Sequence, residues 1–173
     1  MQTSRHRGPG QRTSCQTGTV STHTYTVTAT WTGNRGTGTS GYRDYDRSVT
    51  LSVAGKPDVL GSADVPFHGD PARWNPEDKL LASLAECHML SYFYACTLAG
   101  VEVTSYVDTA TGTIETAGNG GRFTEAVLRP AITVRDQSMV QPAIDAHGPA
   151  HEWCFIANSV NFPIRIEPVV TVG

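Results

Sequence analysis

The stretch from Trp74 to Gly100, WNPEDKLLASLAECHMLSYFYACTLAG, constrains the fold more than any other part of the chain. It opens with a helix-start signature: Asn75 can cap free backbone N–H groups, Pro76 sits where a missing N–H costs nothing, and Glu77 and Asp78 bring negative charge to the positive end of the helix dipole. Beyond that turn the apolar residues fall on nearly every face: Leu80, Leu81, Leu84, Met89, Leu90, Tyr92, Phe93, Tyr94 and Leu98. A helix apolar all round is either a membrane span or the buried axis of a folded domain. Glu86, Cys87, His88 and Ser91 interrupt the run, so no span of about 20 apolar residues exists. The stretch is therefore expected to be a buried central helix with reactive groups at its middle.

A chain of 173 residues is long enough to bury a core and fits one domain. Its formal net charge of −3 gives no reason to expect nucleic acid or an anionic membrane as partner. Charged residues make up only 17%, which suggests that a second subunit covers much of the surface. Residues 1–20, rich in Arg, Gly, Ser, Thr and Gln, read as a flexible leader without a secretory signal, and residues 21–173 as the single domain. The four cysteines, at 15, 87, 96 and 154, are too scattered for a disulfide scaffold, and a cytoplasmic protein with reduced thiols fits them best.

From Thr22 to Thr32 threonines alternate with His23, Tyr25, Val27, Ala29 and Trp31, which predicts a half-buried strand. A glycine-rich turn carrying Arg35 leads to a strand around Val49, Leu51 and Val53, and a shorter one is expected within Val59–Phe67. After the central helix, strands are expected over Val101–Val107, Thr111–Thr116 and Phe123–Val134, the last with a bulge or edge at Pro130. Met139–His147 reads as a helix broken at Gly148-Pro149, with a second helix from Pro149 to about Asn158. A final strand carries Ile164, Ile166, Val170 and Val172. The order predicts an α+β fold in which antiparallel sheets wrap a long buried helix.

Two cysteines could carry chemistry. Cys87 is either a small apolar filler or a reactive thiol, and its ionisable neighbours Glu86 and His88 argue for the second, since such groups are costly in a core without a purpose. Cys96, between Tyr94 and Leu98, reads as core. Cys154 lies in His147-Gly-Pro-Ala-His151-Glu-Trp-Cys154, where a helical face could gather both histidines and the thiol. That leaves a zinc site completed by Cys87 or His88, or a redox pair in which Cys87 attacks and Cys154 resolves. His147 and His151 also read as ordinary surface and helix-end residues.

NPEDKLLASLAEC, with Asn-Pro-Glu opening a helix and a cysteine twelve residues after the asparagine, resembles the signature of the OsmC/Ohr family of thiol peroxidases. The second cysteine, after a helix rich in Ala and His, resembles it too, and the likeness in element order spans roughly Thr22 to Val172. The resemblance implies that Cys87 is the peroxidatic thiol, Cys154 the resolving one and Glu77 the active-site glutamate. Its arginine comes in one branch from the turn after the first strand, pointing to Arg35, and in another from just before the Asn-Pro-Glu helix, pointing to Arg73. Arg35 is the first choice. Phe155 stands where many relatives have proline. The resemblance further implies an intertwined homodimer, an external dithiol reductant, organic hydroperoxides as substrates and no cofactor.

Glu77 and Cys87 are ten residues apart on one helix, hence about 15 Å along it and roughly 80° around it. A glutamate side chain cannot cross that gap. If Glu77 serves the site of Cys87, a second copy must bring it. The competing expectations are a binding or structural module of the same fold and the Cys/His zinc protein.

Overall fold

A computed structural model describes residues 20–173, so nearly all of the expected leader, and Cys15 with it, lie outside the described residues. The central helix, α1 (Pro76–Leu98), forms as the sequence predicts, and both ends are closed by side chain and backbone. The Asn75 side chain accepts from the Asp78 N–H at 2.7 Å and the Asp78 carboxylate accepts from the Asn75 N–H at 3.3 Å, a reciprocal cap. At the far end Gly100 takes φ 68°, a left-handed conformation that a Cβ would oppose. The turn is held by Val101 N–H to the Cys96 carbonyl at 2.9 Å and Gly100 N–H to Thr97 at 3.3 Å, which satisfies two carbonyls the helix leaves free.

The strands form three three-stranded sheets. The first is antiparallel, β1 (Thr28–Trp31), β2 (Val49–Ser52) and β3 (Val59–Gly61). Here the expectations needed correction. Only Thr28–Trp31 of the predicted 22–32 strand pairs, and it is exposed along its whole length. Residues 65–67 form a 3-10 turn capped by Asp64 instead of extending the third strand. Strand alternation signals an apolar face but does not supply the surface that covers it.

The other two sheets share three long, bent ribbons. β4 (Val103–Asp108) runs into β5 (Thr111–Ala117), β6 (Gly120–Leu128) into β7 (Pro130–Val134), and β8 (Ile164–Ile166) into β9 (Val169–Val172). One sheet is ordered β4-β7-β9 and the other β5-β6-β8. The predicted single strands over 123–134 and 164–172 are thus each two strands, and β8 pairs in parallel with β6 and β9 with β7, so these sheets are mixed rather than antiparallel. The breaks fall at Arg129-Pro130 and Glu167-Pro168, because proline cannot donate to a continuing ladder. Arg129 ties the three bends together, its backbone N–H donating to Asp108 at 2.7 Å and its side chain to Glu167 and Thr111 at 3.1 and 2.8 Å.

Between β7 and β8 lie α2 (Val140–Asp145) and α3 (His147–Trp153). The break falls at Ala146, not at Gly148-Pro149, since proline in the first turn of a helix loses no hydrogen bond. Tyr92, Ala95, Cys96, Ile132, Val134, Ala143 and Ala150 form one core cluster, and Leu84, Ala126, Leu128 and Cys154 a second. Both use the same face of α1. Its opposite face is uncovered: Leu90, Tyr94 and Leu98 are 57%, 59% and 63% exposed. Among the described residues no helix is long and apolar enough to cross a membrane.

Candidate functional site

Cys87 and Cys154 come together. The helix end at Trp153 turns the chain inward at Cys154, whose ψ of 105° leaves the helical region, and the residue is fully buried in the core cluster under α1. Cys87 packs against that cluster from α1, near enough for each thiol to act on the other. Burial pushes the Cys154 thiol up to about 11, and the adjacent Cys87 thiol adds to the rise. The Ala157 N–H, donating to the sulfur at 3.4 Å, pulls the other way. Both sulfurs are free thiols.

Cys87 is half-buried and opens onto a cleft of about 750 Å³. Leu90, Tyr94, Trp153, Phe155 and Ile156 supply its apolar walls, and Ser83, Glu86 and Ser91 its polar rim. Tyr94 and Trp153 pack with ring centres 5.7 Å apart, joining the α1 wall to the α3 wall. Trp74, just before α1, lines a different cleft.

Neither Glu77, Arg35 nor Arg73 lines the cleft of Cys87 in one chain. Glu77 keeps one carboxylate oxygen buried without a hydrogen-bond partner among the described residues. Arg35 is half-exposed in the turn after β1, 3.7 Å from Asp46 and donating to the Arg43 carbonyl. Arg73 pairs with Asp70 at 3.3 Å and lines the second cleft, of about 490 Å³, with Trp74, Asp78, Leu81 and Asp108.

The histidines correct the sequence reading. His147 is not a surface residue but buried, and so is His88; Nε2 of His88 and Nδ1 of His147 lie 3.0 Å apart, so one ring donates to the other. Tyr92 stacks on His147 with centroids 4.2 Å apart. Burial lowers both rings to about 4, with the charges of His147 and His151 adding to the shift at His88. Both are therefore neutral at neutral pH. Their spacing, one residue after Cys87 and seven before Cys154, was the available signal; what hid it was the glycine and proline between His147 and His151. Among the described residues no group of three or more His, Cys, Asp or Glu is arranged to hold a metal ion, so the residues of the zinc alternative do not converge on one.

Comparison with known proteins bears on this arrangement. The family model described as OsmC-like protein matches residues 68–169. An OsmC-like protein of unknown function from Vibrio cholerae is 30% identical in sequence, with 86% of this chain and 100% of that one covered and a TM-score of 0.73. An organic hydroperoxide resistance protein OsmC from Legionella pneumophila shares the fold at 17% identity over 88% of this chain and 99% of its own, TM-score 0.62. So does an organic hydroperoxide resistance protein from Elizabethkingia anophelis, at 20% identity over 87% and 99%, TM-score 0.60. No curated protein is similar enough in sequence to count as a relative.

Proposed function

This chain belongs to the OsmC-like family, and on that footing we propose that it is a thiol-dependent peroxidase acting on organic hydroperoxides in oxidative-stress defence. The observation that carries the reading is the meeting of Cys87 and Cys154, sixty-seven positions apart, one facing an open apolar cleft and the other sealed behind it. The names of the Legionella and Elizabethkingia proteins, both organic hydroperoxide resistance proteins, point the same way.

The Cys87 thiolate attacks the distal oxygen of the hydroperoxide, the O–O bond breaks, and the alkoxide leaves as alcohol after taking a proton. Cys87 becomes a sulfenic acid. Cys154, whose burial favours the protonated form, passes its proton to the sulfenic hydroxyl as its sulfur attacks the Cys87 sulfur; the S–O bond breaks, water leaves, and a disulfide remains. An external dithiol restores both thiols. The apolar walls favour organic hydroperoxides over hydrogen peroxide, which has no apolar part to bury.

The site is completed in a homodimer. Glu77 comes from the partner, and an arginine, Arg35 with Arg73 as the second choice, stabilises the thiolate while the carboxylate holds the arginine by paired hydrogen bonds. Three features support this: the uncovered apolar face of α1, the exposed first strand, and the orphaned Glu77 oxygen. The protein works in the cytoplasm, where reducing conditions keep such thiols free.

The test adds one equivalent of cumene hydroperoxide to reduced protein, followed by thiol counting and disulfide mapping by mass. Loss of two thiols per chain and a Cys87–Cys154 bond are expected. Unchanged thiols would leave a binding module of this fold, the reading favoured by the absence of any arginine among the described residues that line the cleft of the single chain.

A further inference from the structure

We propose that the buried His88–His147 pair governs the fate of the Cys87 sulfenic acid. By holding α3 against α1 it keeps the resolving thiol in place, so that the sulfenic acid closes to a disulfide before a second hydroperoxide oxidises it further. The inference rests on the peroxidase reading and adds two positioning residues to the same cycle. The rings sit at one end of α3 and the thiol at the other: His147 opens the helix and Cys154 caps its end, while their partners His88 and Cys87 are consecutive residues of α1. α3 is thus a short lever across α1, seven residues or about 10 Å long. With the pin released, a tilt of about 15° would carry the Cys154 sulfur roughly 2–3 Å, enough to lose the narrow geometry of a disulfide.

Little else fixes that lever. The start of α3 has no side-chain cap. Among the described residues the 3.0 Å contact between Nε2 of His88 and Nδ1 of His147 is the only hydrogen bond between side chains of α1 and α3. Tyr94 and Trp153 meet at the other end through apolar ring contact, which is non-directional. As filling for a core the two rings are poorly chosen. Each keeps one nitrogen, Nδ1 of His88 and Nε2 of His147, buried without a partner among the described residues. Two apolar side chains of similar shape would fill the space at little or no loss. What the imidazole pair adds is direction. Its bond sets one helix against the other, and Tyr92, stacked on His147 at 4.2 Å, sets the plane in which that ring lies.

Two reactions compete for the sulfenic acid. In one, the Cys154 thiol displaces its hydroxyl, giving the disulfide and water. In the other, the Cys87 sulfur takes an oxygen atom from a second hydroperoxide, whose O–O bond breaks to give the alcohol, and a sulfinic acid remains that a dithiol does not reduce. The first is intramolecular and independent of hydroperoxide concentration, whereas the second rises in proportion to it. The placement of Cys154 therefore sets the concentration at which the two are equal. Neither histidine lines the cleft, so the first attack by Cys87 does not depend on the pair.

The test exposes reduced full-length protein, freed of dithiol, to rising cumene hydroperoxide and measures disulfide against sulfinic Cys87 by mass. In His88→Leu/His147→Leu, and in His147→Leu alone, the concentration giving equal amounts is expected to fall about tenfold or more, with the rate of the first turnover unchanged. His147→Asn, whose amide stands where Nδ1 stood, should stay within about threefold of wild type. Equal sulfinic yields in wild type and both leucine variants would overturn the proposal. So would a first turnover slowed as much as disulfide formation, an asparagine variant no better than the leucine one, or leucine variants that circular dichroism shows unfolded, since each would make the pair a part of the core and nothing more. A wild-type protein that reduces no hydroperoxide would overturn the peroxidase reading itself, and this inference with it.

Discussion

Cys87 and Cys154 are the same chemical group placed in two different media. Cys154 is wholly enclosed, and its thiol, raised to about 11, keeps its proton at neutral pH and does not compete for peroxide. Cys87 alone faces the cleft. The two roles should therefore separate by mutation. Cys154→Ser is expected to consume one equivalent of hydroperoxide per chain and then stop, with a dimedone adduct on Cys87 detected by mass, whereas Cys87→Ser should consume none. Spacing along the sequence was enough to single out both sulfurs. It could not show their media, because whether a residue after Trp153 turns inward depends on what α3 packs against.

At the level of elements, the two thiols meet because α1 and α3 are pinned together by the His88–His147 bond. Deleting one ring leaves the other with a buried, unpaired nitrogen, so His147→Ala should cost about 1–3 kcal/mol in urea unfolding beyond what its lost packing accounts for. The pin is also acid-sensitive, and the sign follows from the lowered values. Folded, both rings titrate near 4; unfolded, they titrate near the ordinary value of about 6.5. Between those values the unfolded chain binds more protons. The neutral pair's contribution is thus whole above about pH 6.5 and is lost as pH falls toward 4, by at most about 2.7 kcal/mol per pH unit for two rings. Urea midpoints measured at pH 7 and pH 5 check this, and His88→Phe should flatten the difference. The long helix was legible to its caps because Asn75, Pro76 and Gly100 act locally. Strand ends were less so: Pro130 and Pro168 mark where ribbons change sheets, and a proline reads the same whether it marks a bulge, an edge or a crossover.

For the molecule as a whole, the single chain leaves too much apolar surface open. Trp31, Leu60, Leu90, Tyr94 and Leu98 are all between 42% and 63% exposed, and covering the open part of each gains roughly 1 kcal/mol or more, about half of what full burial of such a side chain gives. A homodimer with composite sites makes a sharp prediction. Cys87→Ser and Glu77→Gln proteins, each nearly inactive alone, should regain about a quarter of wild-type activity when unfolded and refolded as an equal mixture, since half the dimers are mixed and each holds one intact site. No recovery would place Glu77 outside the site of the partner. Low charge content hinted at a covered surface, but an apolar helix face has the same composition whether its own chain or another copy covers it. The bent ribbons carry one further consequence. Their last members, β8 and β9, complete both sheets from positions beyond the second thiol, at 164–166 and 169–172. On the ribosome, then, the β5-β6-β8 sheet waits for Ile166, and the β4-β7-β9 sheet for Val172, to clear the exit tunnel. The sulfurs reach their mutual pocket only after those strands emerge, and an oxidant meeting the nascent chain earlier would find Cys87 without Cys154 beside it.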